Sequence, residues 1–210
     1  MDSSESIDGE GLERMMRRFC IEQERHVFAF LFALHVPPGM EREFCRLSPS
    51  NAAASYGIQT WRLSREVWCQ GLLRLGCCAA ADIPSTIRAI GEAYDQKDVK
   101  DMSVKACHRF LFMFINKAST SVSCVARDDA VETLALMLQG KWELLDEFVA
   151  YLKSAEVKAY LLRDEWFAVI EFAGLFSTAK SLQRYDACTA HWPVLLDGFV
   201  DWLKTRVTPS

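Results

Sequence analysis

The chain has 210 residues, half of them apolar and a quarter charged, with a formal net charge of −4. That balance excludes a disordered or collagen-like chain and leaves ample apolar side chain for a hydrophobic core, in one compact domain or two small subdomains. Mild acidity without any Lys/Arg cluster argues against nucleic acid as a partner, and the longest apolar run, Val27 to Leu34, is far too short to span a bilayer.

Met1 to Glu10 is acidic and serine-rich and lacks the basic start and apolar core of a secretory signal, so a cytosolic or nuclear home is expected, with residues 1–8 flexible. Helical periodicity then governs nearly every segment, which predicts an all-α fold. Leu12, Met15, Met16 and Phe19 line one face of a first helix, and Val27 to Val36 is apolar all round, as in a helix buried between neighbours and ended by Pro37-Pro38. From 37 to 60 the chain reads as a long irregular insert, with Ser48-Pro49-Ser50-Asn51 and Gly57 as turn residues. Ser64 is placed to cap the next helix, with Val67, Trp68, Leu72 and Leu75 inward and Gly76 as its stop.

Asp82-Ile83-Pro84 opens a helix that carries Ile83, Ile87, Ile90 and Tyr94 on its apolar face. Further helices are expected over Met102–Ile115, Asp128–Leu138 with Gly140 beyond its end, Leu144–Leu152, Asp164–Phe176 with Asp164 as its cap, and Trp192–Lys204. Residues 205–210 form a tail. Eight cysteines at irregular spacing match neither a zinc pattern nor a secreted disulfide scaffold, and are read as mostly buried free thiols. Asp8-Gly9-Glu10-Gly11 faintly suggests a calcium loop, but the alternating oxygen ligands and the closing glutamate are missing, so no metal is expected.

Two blocks are distinctive. Tyr185-Asp186 is followed after a short spacer by Trp192-Pro193-Val194-Leu195-Leu196-Asp197, and Trp61-Arg62-Leu63-Ser64-Arg65 leads through Gly71 to Leu75-Gly76-Cys77. Phe110-Leu111-Phe112-Met113-Phe114, Leu136-Met137-Leu138-Gln139-Gly140-Lys141-Trp142 and Asp164-Glu165-Trp166 add weaker matches in the same order. Together these resemble the defective-in-cullin-neddylation family, whose potentiating-neddylation domain would occupy residues 9–204. Two departures are the longer 37–60 stretch and a slightly stretched spacing from Asp164 to Trp192.

The resemblance implies two helical subdomains, the first with degenerate EF-hand-like helix pairs. It further implies a non-catalytic accessory ligase that binds a cullin's winged-helix domain and the acetylated N-terminus of the conjugating enzyme, acting as a monomer without a cofactor. The family's Asp-Ala-Asp cullin patch maps onto Asp164 and Asp197, with His191, next to Ala190, in the alanine place. Carboxylates at helix starts accept charge-assisted bonds from Lys or Arg, which suits a basic partner. The family's pocket for the acetylated methionine maps onto Leu12, Met16, Phe28, Leu31, Leu63, Phe114 and Leu136, with Thr60 where a glutamine is usual. Burying one methionine contributes roughly 1.5–3 kcal/mol, and acetylation removes an ammonium that would be costly to bury. Two rival readings stand beside this one: a cysteine-dependent enzyme using Cys188 or Cys107, and a helical adaptor outside neddylation.

Overall fold

The computed structural model describes residues 6–21, 23–116, 124–154, 157–186 and 191–207. Among these, eleven α-helices are joined by four very short strands that pair into two antiparallel ribbons. The chain divides into two units: Met1–Lys97 with Asp101–Ile115, and Asp98–Lys100 with Asn116–Ser210.

The first unit runs β1 (Ser6–Ile7), α1 (Gly9–Arg18), α2 (Glu24–His35), α3 (Glu41–Arg46), α4 (Pro49–Tyr56), β2 (Leu63–Ser64), α5 (Arg65–Arg74), α6 (Ile83–Asp95) and α7 (Met102–Ile115). Asp8 caps α1, its carboxylate accepting the Gly11 amide at 2.9 Å, so the Asp8-Gly9-Glu10-Gly11 stretch is a helix entry. Ser6 pairs with Ser64 and Ile7 with Leu63. Apolar on all sides, α2 is the central element and buries Val27, Phe30, Leu31 and Leu34. Two glycines let its neighbours approach closely. A Cβ on Gly71 of α5 would lie 2.8 Å from the Leu34 carbonyl oxygen, and one on Gly91 of α6 would fall 2.0 Å from Cγ of His26. The Arg74 guanidinium then donates to the Leu34 carbonyl at 2.5 Å, satisfying an open acceptor at the end of α2.

The 37–60 stretch differs from the irregular insert expected of it, because it folds into α3 and α4. Its turn-like residues are caps: the Ser48 hydroxyl accepts the Asn51 amide at 3.3 Å, Pro49 begins α4, and Gly57 ends it at φ +63°. Each helix is too short to show a period, and each is anchored by one fully buried residue, Phe44 or Ala52. Phe44 lies edge-on to Phe32 and Tyr56, and Arg109 of α7 donates to the Leu47 carbonyl between the two helices.

The second unit runs β3 (Cys124–Ala126), α8 (Arg127–Leu138), α9 (Leu145–Leu152), β4 (Tyr160–Leu162), α10 (Arg163–Leu175) and α11 (Val194–Val207). Gly140 turns the chain after α8 at φ +74°. The core is aromatic. Trp142 and Phe148 lie 5.2 Å apart, Phe148 and Phe199 4.9 Å, and the Trp142 indole N–H donates to the Phe176 carbonyl at 3.0 Å. The first strand begins at Ser6, and α11 runs to Val207. No helix among the described residues is long and apolar enough to cross a membrane.

Candidate functional site

The acidic candidates sit on the second unit, on α10 and α11. Asp197 lies in the first turn of α11, where a carboxylate is favoured by the helix dipole. The Tyr185 hydroxyl donates to Asp197 Oδ1. Burial, and then the hydrogen bond to Asp197, pushes the Tyr185 phenol well above its usual range, so it remains a proton donor at any physiological pH. A hydroxyl orients a carboxylate without cancelling its charge. The Tyr185 ring is in turn held against Phe172 at 6.0 Å and Phe176 at 5.5 Å, and Trp192 packs on Phe172 at 5.4 Å. Tyr185, Trp192 and Asp197 therefore form one local constellation at the C-terminal end of α10. Tyr185 was not among the residues assigned a role from sequence, and its part follows only from the fold that brings it to Asp197.

Asp164 stands apart from that constellation. It lies in the first turn of α10, eight positions before Phe172, or about 12 Å along the helix axis. Its side chain is 78 % exposed and pairs with Arg163 at 3.0 Å, an exposed contact that a partner's cation can replace at small cost. It is not the cap of α10 as expected. Leu162 holds that position, and its amide donates at 2.8 Å to the neighbouring acid, Glu165. Glu165 is buried and also pairs with Lys158 at 2.8 Å, so of these adjacent carboxylates one fastens the helix start and the other faces solvent. The signal for this was available in an acid three positions into the helix. His191 is exposed just before Trp192, and Ala190 lies outside the described residues.

The apolar candidates divide. Leu12, Leu31, Leu63 and Phe114 are buried in the core of the first unit, with Leu63 also in its ribbon opposite Ile7. Met16 and Phe28 are half-buried in that unit, and Leu136 is half-buried in the second. The structure brings Phe28 and Phe114 together through Trp61, whose ring is 6.4 Å from Phe28 and 5.5 Å from Phe114. Trp61 holds a left-handed φ of +50°, and its amide donates to the Phe114 carbonyl at 2.9 Å. This aromatic row is half open to solvent at Phe28 and Trp61, and Phe28 and Met16 are the apolar candidates that a ligand can reach within the first unit.

Of the cysteines invoked by the enzyme reading, Cys107 is fully buried in α7, and Cys188 lies outside the described residues. A buried thiol in apolar surroundings is a poor nucleophile. The described residues hold no group of three or more His, Cys, Asp or Glu suited to a metal.

Comparison with known proteins extends the same reading. A family model described as cullin binding matches residues 86–202. DCN1-like protein 5 of Rattus norvegicus is 30 % identical over 185 residues, covering 82 % of this chain and 72 % of the relative, and the Homo sapiens protein of the same name gives the same figures. DCN1-like protein 4 of Drosophila melanogaster is 29 % identical over 179 residues, 81 % of this chain and 68 % of that protein. The chain belongs to the cullin-binding family of DCN1-like proteins.

Proposed function

We propose that this chain is a non-catalytic accessory in cullin neddylation. Its second unit holds a cullin's basic winged-helix domain, and the acetylated N-terminus of the conjugating enzyme is taken in the first unit, at the aromatic row of Phe28, Trp61 and Phe114. The observation that carries this reading is that the cullin-binding family match over residues 86–202 contains every residue of the candidate cullin set, Asp164, Ala190, His191 and Asp197. Asp197 is pre-oriented by Tyr185, so a Lys or Arg meets a carboxylate already fixed in place, and little ordering entropy is lost on binding. Asp164 adds a second, more exposed anion at the start of α10.

On this reading the chemistry of isopeptide transfer belongs to the conjugating enzyme's cysteine and the cullin's lysine. The chain contributes by raising their local concentration and restricting their orientation. It would act as a monomer in the cytosol or nucleus.

A reconstituted transfer assay tests this, with conjugating enzyme charged with the modifier and a cullin C-terminal fragment as acceptor. The full chain is expected to accelerate transfer, Asp197→Lys to weaken cullin binding by roughly a hundredfold, and Asp164→Lys by roughly tenfold. Cys188→Ser is expected to leave the rate unchanged. No acceleration at all would favour an adaptor outside this pathway, and loss through Cys188→Ser with Asp197→Lys harmless would favour an enzyme.

A further inference from the structure

We propose that the second unit carries another docking groove, for a short acidic segment with a bulky apolar anchor. The groove encloses about 870 Å³ and has an apolar floor of Leu182, Val200, Trp202 and Leu203. Its rim carries Lys180, Lys204 and Arg206 against a single acid, Glu147. In a chain of net charge −4 this gathering of cations round an apolar opening runs against the overall balance. None of these residues belongs to the acidic constellation of Tyr185 and Asp197 or to the apolar row at Trp61.

The physical case rests on how α11 is used. Its Leu195, Leu196, Phe199 and Val200 are buried, which satisfies the core of the unit. Trp202 and Leu203, one turn further on, remain half-buried and open into the groove, where the 3-10 turn Ser181–Arg184 forms a wall through Leu182. Arg206 stacks over the Trp202 ring with its guanidinium carbon 4.3 Å from the centroid. A stacked guanidinium is pre-organised, and its in-plane N–H groups remain directed outward for a carboxylate. Lys204 pairs with Asp201 at 3.2 Å on the exposed surface, a bond that an incoming acid can exchange.

The occupant follows from this combination. Apolar floor and basic rim together ask for a side chain such as leucine or phenylalanine flanked by Asp or Glu, as on one face of an amphipathic helix. A membrane surface is disfavoured because the apolar groups are recessed, whereas insertion into lipid requires them to protrude. Nucleic acid would leave the apolar floor unused. The site thus prefers a partner of opposite charge to the one proposed for Asp164 and Asp197, and it stands whether or not that proposal holds.

Fluorescence anisotropy of a labelled, N-acetylated helical peptide with Leu and Phe on one face and Glu on the other provides the test, using the full chain. Binding is expected, weakening with added salt, and falling about tenfold in Lys180→Glu/Arg206→Glu, whose exposed positions leave the fold intact by circular dichroism. The same peptide with each Glu replaced by Lys is expected not to bind. Equal affinity for both peptides, or equal affinity of both proteins, would overturn the proposal. So would capture by anionic phospholipid vesicles without peptide binding, which identifies a lipid site. A concentration-dependent dimer abolished by the double variant would show instead that a second copy of this chain fills the groove.

Discussion

The two units solve the same local problem with different side chains. Each holds a two-stranded antiparallel ribbon whose strands lead into helices: β1 and β2 into α1 and α5, β3 and β4 into α8 and α10. In the first unit the helix starts are closed by local oxygens, the Asp8 carboxylate on the Gly11 amide and the Ser64 hydroxyl on the Val67 amide at 3.2 Å. In the second, Ala126 and Leu162 hold the cap positions and have no oxygen to offer, and the first turns carry Asp128, Asp129, Asp164 and Glu165. Asp128 and Asp164 point to solvent, their side chains 89 % and 78 % exposed. At these two helix starts the first unit uses its polar side chains as caps. At the matching positions the second unit displays Asp128 and Asp164 to solvent, where the helix dipole favours negative charge.

Each unit can be destabilised from within its own core. Trp142→Ala removes the ring that meets Phe148, Phe172 and Phe199, and with it the bond to the Phe176 carbonyl, at an expected cost of about 3–5 kcal/mol. Gly91→Ala in the first unit forces a methyl group into His26, which its 2.9 Å bond to Asp95 keeps from moving aside, at an expected cost of about 1–3 kcal/mol. Hydrogen exchange read by mass spectrometry should show the largest loss of protection in the unit that carries each change. A loss of equal depth across both units would mean that they do not behave as separate cores.

A finer cut separates the adjacent acids at the start of α10. Glu165→Ala leaves the Leu162 amide and the Lys158 ammonium without their partner and is expected to cost about 1–3 kcal/mol. Asp164→Ala is expected to change stability by no more than about 0.5 kcal/mol while weakening binding to a basic partner. Denaturant unfolding of both variants decides the matter, and the reverse order would assign the structural role to Asp164.

What could be read from the sequence follows the length of its patterns. Long periodic segments such as Met102–Ile115 and Arg163–Leu175 were legible because each shows several turns of apolar spacing. The pair α3 and α4 was not, since six and eight residues give little more than one or two turns and the anchors Phe44 and Ala52 are single residues. For the candidate site, the motif around Trp192 and Asp197 was visible as a string of residue types. The bond from Tyr185 to Asp197 was not, because it depends on where Phe172 and Phe176 place the tyrosine. The apolar set was hardest, because an apolar residue on a helix face has the same spacing whether it lines a pocket or, like Leu31 and Leu63, fills the core.

The smallest expected effect concerns acid. Three of the four histidines, His26, His35 and His108, are buried in the first unit, while His191 of the second is exposed. Burial holds the His35 imidazole below its ordinary value of 6.5, opposed by its bond to the Tyr56 carbonyl and reinforced by Arg74. His35 Nδ1 lies 2.9 Å from that carbonyl and must therefore carry its proton there as a donor in the neutral ring. The folded state resists protonation more than the unfolded chain does. Below about pH 6.5 the unfolded state therefore binds more protons, and stability is lost as pH falls. Above that value both states are neutral and the contribution is constant. Unfolding of the native chain and of His35→Gln, compared between about pH 5 and pH 7.5, isolates this share. The native chain should weaken more steeply toward acid, with the loss of exchange protection beginning at α2 and α4. Parallel pH profiles for the two proteins would show that His35 does not make the first unit acid-sensitive.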